Sequence, residues 1–152
     1  VKPDKYDSIV LYGLEAGKYR LALKTPKDQI INVEYTRDKS KKKAAYKKSK
    51  AINLKSDIDS IYTSTEKAAR WYKVSVSSTK KRKAVTLSKD SVGGGFKFRV
   101  YQKGKRLKTV RVTKNDKVKT VKLPKKKGTY YVKVTKLTSK TTGAYYLGTY
   151  TY

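Results

Sequence analysis

Trp71-Tyr72-Lys73-Val74-Ser75-Val76 is the stretch whose reading decides the fold. Successive side chains of an extended chain point to opposite faces, so Tyr72, Val74 and Val76 share one side while Lys73 and Ser75 take the other. That is the pattern of a half-buried strand. Phe96, Phe98 and Val100 alternate with Lys97 and Arg99 in the same way. Apolar spacing of helix length is missing throughout, so strands dominate the reading.

Outward from these two segments, further strands are expected at Tyr6 to Tyr12, Lys18 to Thr25, Gln29 to Thr36, Lys83 to Ser88, Leu107 to Thr113, Val118 to Leu123, Thr129 to Lys136 and Ala144 to Thr151. Turn residues separate them: Gly93-Gly94-Gly95, Lys103-Gly104-Lys105, Asn115-Asp116, Pro124 to Gly128 and Thr142-Gly143. Short strands joined by short turns make an all-β antiparallel sandwich or barrel rather than a parallel α/β sheet. Asp38 to Lys50 carries Lys41-Lys42-Lys43 and Lys47-Lys48, whose mutual repulsion opposes a buried strand. It reads as a linker, with a short exposed helix as the alternative, and Ser64 to Arg70 reads as a loop or one helical turn. The division expected is therefore 1–50, an N-terminal β segment with the linker, and 51–152, the main domain. About three strands bury too little to stand alone, so residues 1–36 are expected to dock on the main domain. A small echo, Gly17-x-Tyr19-x-Leu21, Gly128-x-Tyr130-x-Val132 and Gly143-x-Tyr145-x-Leu147, repeats a tight glycine entry followed by one inward face.

From Ala51 to Tyr152 the order of motifs resembles the bacterial pre-peptidase C-terminal domains. The resemblance lies in Ala51-Ile52-Asn53-Leu54, Trp71 to Val76, Ala84-Val85-Thr86-Leu87, Phe98-Arg99-Val100-Tyr101 with its Lys103-Gly104-Lys105 turn, Gly128-Thr129-Tyr130-Tyr131-Val132-Lys133-Val134, and Thr142-Gly143-Ala144-Tyr145-Tyr146-Leu147. It implies a jelly-roll-like sandwich that accompanies exported enzymes or surface proteins and often serves in attachment or polymer binding. Some relatives hold calcium with clustered carboxylates. This sequence departs there, since only Asp57, Asp59 and Glu66 lie close together.

Composition narrows the function. The chain has no Cys, His or Met, which removes disulfides, thiolate nucleophiles, imidazole bases and the common zinc and copper ligand sets. No apolar stretch approaches a membrane span and no charged-then-apolar leader opens the chain, although its start at Val1 rather than Met leaves export open. Forty Lys and Arg face eleven Asp and Glu, a net charge of +29. The imbalance is uneven: residues 67–152 hold 25 cations and two acids, Asp90 and Asp116. Such a field calls for an anionic partner. Lysine outnumbers arginine 33 to 7. Lys is a mobile, hydrated charge and Arg the planar fork that reads base edges, so diffuse contact is favoured over sequence reading. The plainer account is that Lys covers solvent faces and strand edges.

The candidate chemistry is thin. Ser beside Lys is unavoidable in so Lys-rich a chain, Asp57-Ile58-Asp59 reads as a loop cap or turn, and Gly93-Gly94-Gly95 precedes a strand without the Gly-Lys-Ser/Thr ending of a phosphate loop. Fourteen Tyr are the other anomaly. Alternation allows at most one of Tyr130 and Tyr131, and one of Tyr145 and Tyr146, in the core. The outward member either packs on Lys stems or stacks on a ligand. The expectation is a non-catalytic accessory or adhesive domain of a secreted or surface-displayed bacterial protein, needing no cofactor. It would contact teichoic acid, acidic polysaccharide or glycosaminoglycan through the outward residues Lys97, Arg99, Arg111, Lys122, Tyr131 and Lys133. A nonspecific nucleic-acid-binding module and a ligand-free spacer are the alternatives; membrane insertion is not expected.

Overall fold

The computed structural model describes residues 44–54, 58–62, 68–90, 94–113, 115–139, 141 and 143–152, together with Lys18, Arg20 and Ala22. Nine strands follow in order: β1 (Ile52–Asn53), β2 (Ile58–Tyr62), β3 (Arg70–Val76), β4 (Lys83–Asp90), β5 (Phe96–Gln102), β6 (Lys105–Val112), β7 (Val118–Lys122), β8 (Gly128–Lys136) and β9 (Gly143–Thr151). They form a five-stranded sheet ordered β1-β3-β8-β5-β6 and a four-stranded sheet ordered β2-β9-β4-β7. Only β5 and β6 are consecutive in one sheet, so the chain otherwise crosses between layers at every step, the jelly-roll-like sandwich expected. All pairings are antiparallel except β1 on β3. Among the described residues no helix is long and apolar enough to cross a membrane.

The alternation read from sequence sets the core. Tyr72, Val74, Val76, Phe98, Val100, Val132 and Val134 are all buried from the five-stranded side. They meet Val85, Leu87, Tyr145 and Leu147 from the other sheet. Full burial of each such side chain contributes about 1.5–3 kcal/mol against leaving it in water. The two Tyr pairs divide as alternation requires: Tyr130 and Tyr145 are buried, Tyr131 is half-buried and Tyr146 exposed. The Tyr130 hydroxyl donates to the Lys126 carbonyl at 2.9 Å, tying the Pro124–Gly128 turn to the strand it feeds, and burial raises the phenol above its ordinary value.

The β5–β6 hairpin closes through two residues, with φ of 47° at Lys103 and 79° at Gly104. Two positive φ values are the signature of the tight hairpin turn whose twist matches its strands. At Asn115-Asp116 the Asp116 carboxylate accepts from the Thr113 N–H at 2.9 Å and the Thr113 hydroxyl at 2.7 Å, and pairs with Lys119 at 2.7 Å. Lys119 and the Thr113 groups hold this carboxyl well below its ordinary value of 3.8. A depressed carboxylate stabilises the fold above its unfolded value and loses that contribution as pH falls below it. Asp116→Asn should therefore lower the melting temperature at neutral pH, and the gap to wild type should close steadily as melts are run below about pH 4. An equal gap in strong acid would mean the carboxylate charge is not what fastens the turn.

Across the sandwich the Tyr72 hydroxyl of β3 hydrogen-bonds the Tyr145 hydroxyl of β9, their rings edge-on at 6.5 Å and 90°. Each hydroxyl is buried and loses this partner if the other is removed. Tyr72→Phe and Tyr145→Phe should each cost about 1–2 kcal/mol, and the double variant about 1 kcal/mol less than their sum in urea melts. Strict additivity would show that the bond between the sheets contributes nothing.

Three expectations fare differently. The strands expected before Asp38 lie outside the described residues, except that Lys18, Arg20 and Ala22 are exposed and in no strand. Within the Lys-rich run, residues 44–50 are docked: Ala45 is buried, its carbonyl accepts from the Trp71 N–H at 2.8 Å, and Lys48–Lys50 form a 3-10 turn. Ile58 and Asp59, read as loop, lie in β2 paired with Leu147 and Tyr146. A five-residue segment gains its strand from the edge of β9 rather than from its own pattern.

Candidate anion-binding face

Strand register builds the site on the outer face of the five-stranded sheet. β5 lies between β6 and β8, and β8 between β5 and β3. Lys97 of β5 therefore stands opposite Arg111 on one side and Thr135 on the other. One row along, Arg99 stands between Thr109 and Lys133, and Lys133 faces Trp71. In the third row Tyr101 faces Tyr131, which faces Lys73. Phe96, Phe98, Val132 and Val134 occupy the alternate positions and are buried, so these polar rows are held outward by the core beneath them.

The face is uniformly basic. None of its five strands contains an Asp or Glu. Asp59 and Asp90 lie in strands of the other sheet, and Asp116, in the turn between β6 and β7, is held by Lys119. Arg99, some burial and then Arg111 push the Lys97 ammonium below its ordinary value, the mark of like charges gathered together.

Aromatic rings are woven through the cations. Trp71 and Tyr101, on the strands flanking β8, meet over it with ring centroids 5.6 Å apart and tilted by 41°. Lys133 Nζ lies 5.2 Å from the Trp71 ring, and Lys48 Nζ lies 4.7 Å from the Tyr131 ring. The outward Tyr131 is thus a platform for a lysine, one of the two roles its position allowed.

Five of the six candidate residues come together here: Lys97, Arg99, Arg111, Tyr131 and Lys133. Lys122 does not join them. It lies on β7 of the four-stranded sheet, opposite Ala84, with its Nζ 5.2 Å from the Tyr152 ring. Trp71, Tyr101, Lys73 and Lys48 belong to the face but were not among the candidates. Trp71 and Tyr101 were within reach of the same alternation that placed Lys73 and Arg99 outward, whereas Lys48 carried no strand signal.

Elsewhere, a recess of about 320 Å³ opens between β6 and β7, walled by Val100, Leu107, Val121 and Leu123 with Lys108 and Lys122. Its lining holds no carboxylate, and its one side-chain hydroxyl, that of Thr120, hydrogen-bonds the Thr86 hydroxyl at 3.0 Å. Among the described residues no three His, Cys, Asp or Glu side chains gather as a metal site. Asp57 and Glu66 lie outside the described residues.

No protein-family model matches the chain, and no curated protein matches it either. A solved structure, the pre-peptidase C-terminal domain of collagenase from Bacillus anthracis, is similar in fold at a TM-score of 0.50 and 17% identity, covering 66% of this chain and 92% of that one. The fold is that of a pre-peptidase C-terminal-like sandwich.

Proposed function

We propose that this sandwich is a non-catalytic accessory or adhesive domain of a secreted or surface-displayed bacterial protein, and that it contacts anionic polymers through the outer face of its five-stranded sheet. The observation that carries the reading is the face itself: Arg111, Lys97, Arg99 and Lys133 in adjoining register positions, on five strands without one acidic residue. Backbone ladders fix the spacing of these cations, and a field of one sign attracts counter-charge over the whole face. Repeated carboxylates, sulfates or phosphates on a chain suit this arrangement, and teichoic acid, acidic polysaccharide and glycosaminoglycan all carry them. A place beside another activity in a larger protein is supported by the similar domain's belonging to a collagenase.

The test is a salt series with the intact chain, titrated with a sulfated polysaccharide and with polyphosphate. Binding should be strong at low salt and fall steeply as salt rises, because releasing condensed counterions drives it. No binding at low salt, or tight binding that persists at molar salt, overturns the reading.

A further inference from the structure

The cations of the face run from corner to corner. Arg111 and Lys97 share the first row, Arg99 and Lys133 the second, and Lys73 the third, where Lys48 reaches in over Tyr131 and Arg106 stands off this line opposite Tyr101. Crossing from β6 to β3 takes three strand spacings of about 4.8 Å, and the first and third rows lie four residues apart at about 3.4 Å each, so the diagonal measures about 20 Å. The rings on this line have faces already in use: Trp71 packs against Tyr101 and carries Lys133, while Tyr131 carries Lys48. A ring that stacks on a sugar or a base needs a free face. A ring under an ammonium holds that charge in place.

We propose that this diagonal is a track for one extended linear polyanion, read by its repeated anions alone, and that Trp71 and Tyr131 are positioning residues that seat Lys133 and Lys48 on it. The inference rests on the polyanion reading above and narrows it. Chain length and charge density decide affinity; the ring chemistry of the ligand does not. Sulfated polysaccharide and linear polyphosphate share the required chemistry.

Trp71 is the one tryptophan of the chain and sits within the track, so its fluorescence reports occupancy directly. Size-fractionated sulfated oligosaccharides and linear polyphosphates, with extended lengths from about 10 to 40 Å, should be titrated at low salt. Affinity should climb until the chain spans about 20 Å and then level off, with the two series overlaying at equal charge per length. A neutral oligosaccharide should leave the signal unchanged. By calorimetry, Trp71→Leu and Tyr131→Leu should each lose about two- to fivefold in affinity, and Trp71→Phe and Tyr131→Phe, which keep a ring under the ammonium, should lose less than the Leu variants. A neutral chain that binds, a sulfated series that outperforms phosphate at equal charge, or binding without dependence on length overturns the track while leaving the polyanion reading standing. Failure of every polyanion to bind removes both.

Discussion

Replacing Gly95 by alanine should destabilise the sandwich by about 3 kcal/mol or more, a large share of the margin of an ordinary domain. Gly95 leads into β5 beside the end of β6, and a Cβ there would come within 2.1 Å of the Val112 carbonyl oxygen, 2.8 Å of Leu137 Cδ1 and 3.0 Å of Thr113 Cα. Two of those three atoms are backbone, so no rotamer change relieves the clash. The strands must separate, and the Leu137 N–H bond to the Gly95 carbonyl, 2.9 Å long, goes with them. Gly104→Ala is the control. Nothing lies within 4 Å of its added carbon, and the cost comes only from its positive φ of 79°, about 1 kcal/mol. Urea melts of both variants decide the matter: equal midpoints would mean that the close approach of β5 and β6 at Gly95 is not a constraint on the fold.

Replacing Lys97, Arg99, Arg111 and Lys133 together by Gln should remove these four charges' share of the salt dependence of polyanion binding, leaving that of Lys48 and Lys73, without unfolding the domain. Duplex DNA, whose counterion release is calibrated, gives the scale. Four neutralised phosphates contribute a slope of about −3.6 in log affinity against log salt, so a fourfold rise in salt costs about 150-fold in affinity through these four alone. The variant should lack that contribution. Its melting temperature at low salt should equal or exceed that of wild type, since Arg99 and Arg111 already depress the Lys97 ammonium and the substitution removes their repulsion. Lys122→Gln, on the opposite sheet, should change neither affinity nor slope by more than a single distant charge does. If Lys122→Gln matched the quadruple variant charge for charge, net charge rather than this face would be the recognition element.

Much of the molecule was legible in the residues because a strand's side chains alternate by local geometry alone. Tyr72, Val74 and Val76, or Phe98 and Val100, declare an inward face whatever they pack against. The same rule separated Tyr130 from Tyr131 and Tyr145 from Tyr146. Turn chemistry was equally local: Lys103-Gly104 and Asn115-Asp116 carry the φ freedom and the carboxylate that their turns use. Segments short of pattern were not legible. Ile58–Tyr62 becomes a strand by pairing with β9, and residues 44–50 dock on β3 where the Ala45 carbonyl accepts from the Trp71 N–H, contacts that a residue-by-residue reading does not contain.

The sequence by itself determined the layered all-β architecture, the residues of its core and the sign of its field, because periodicity and net charge belong to the chain before it folds. Which cations share a face was decided only by the tertiary structure. Lys122 and Lys133 are each an outward lysine between apolar strand neighbours, and nothing local tells them apart. One belongs to β7 and the other to β8, and the chain crosses the sandwich between them. Alternation fixes up or down relative to a strand's own sheet; long-range pairing fixes which sheet that is, and with it the company each charge keeps.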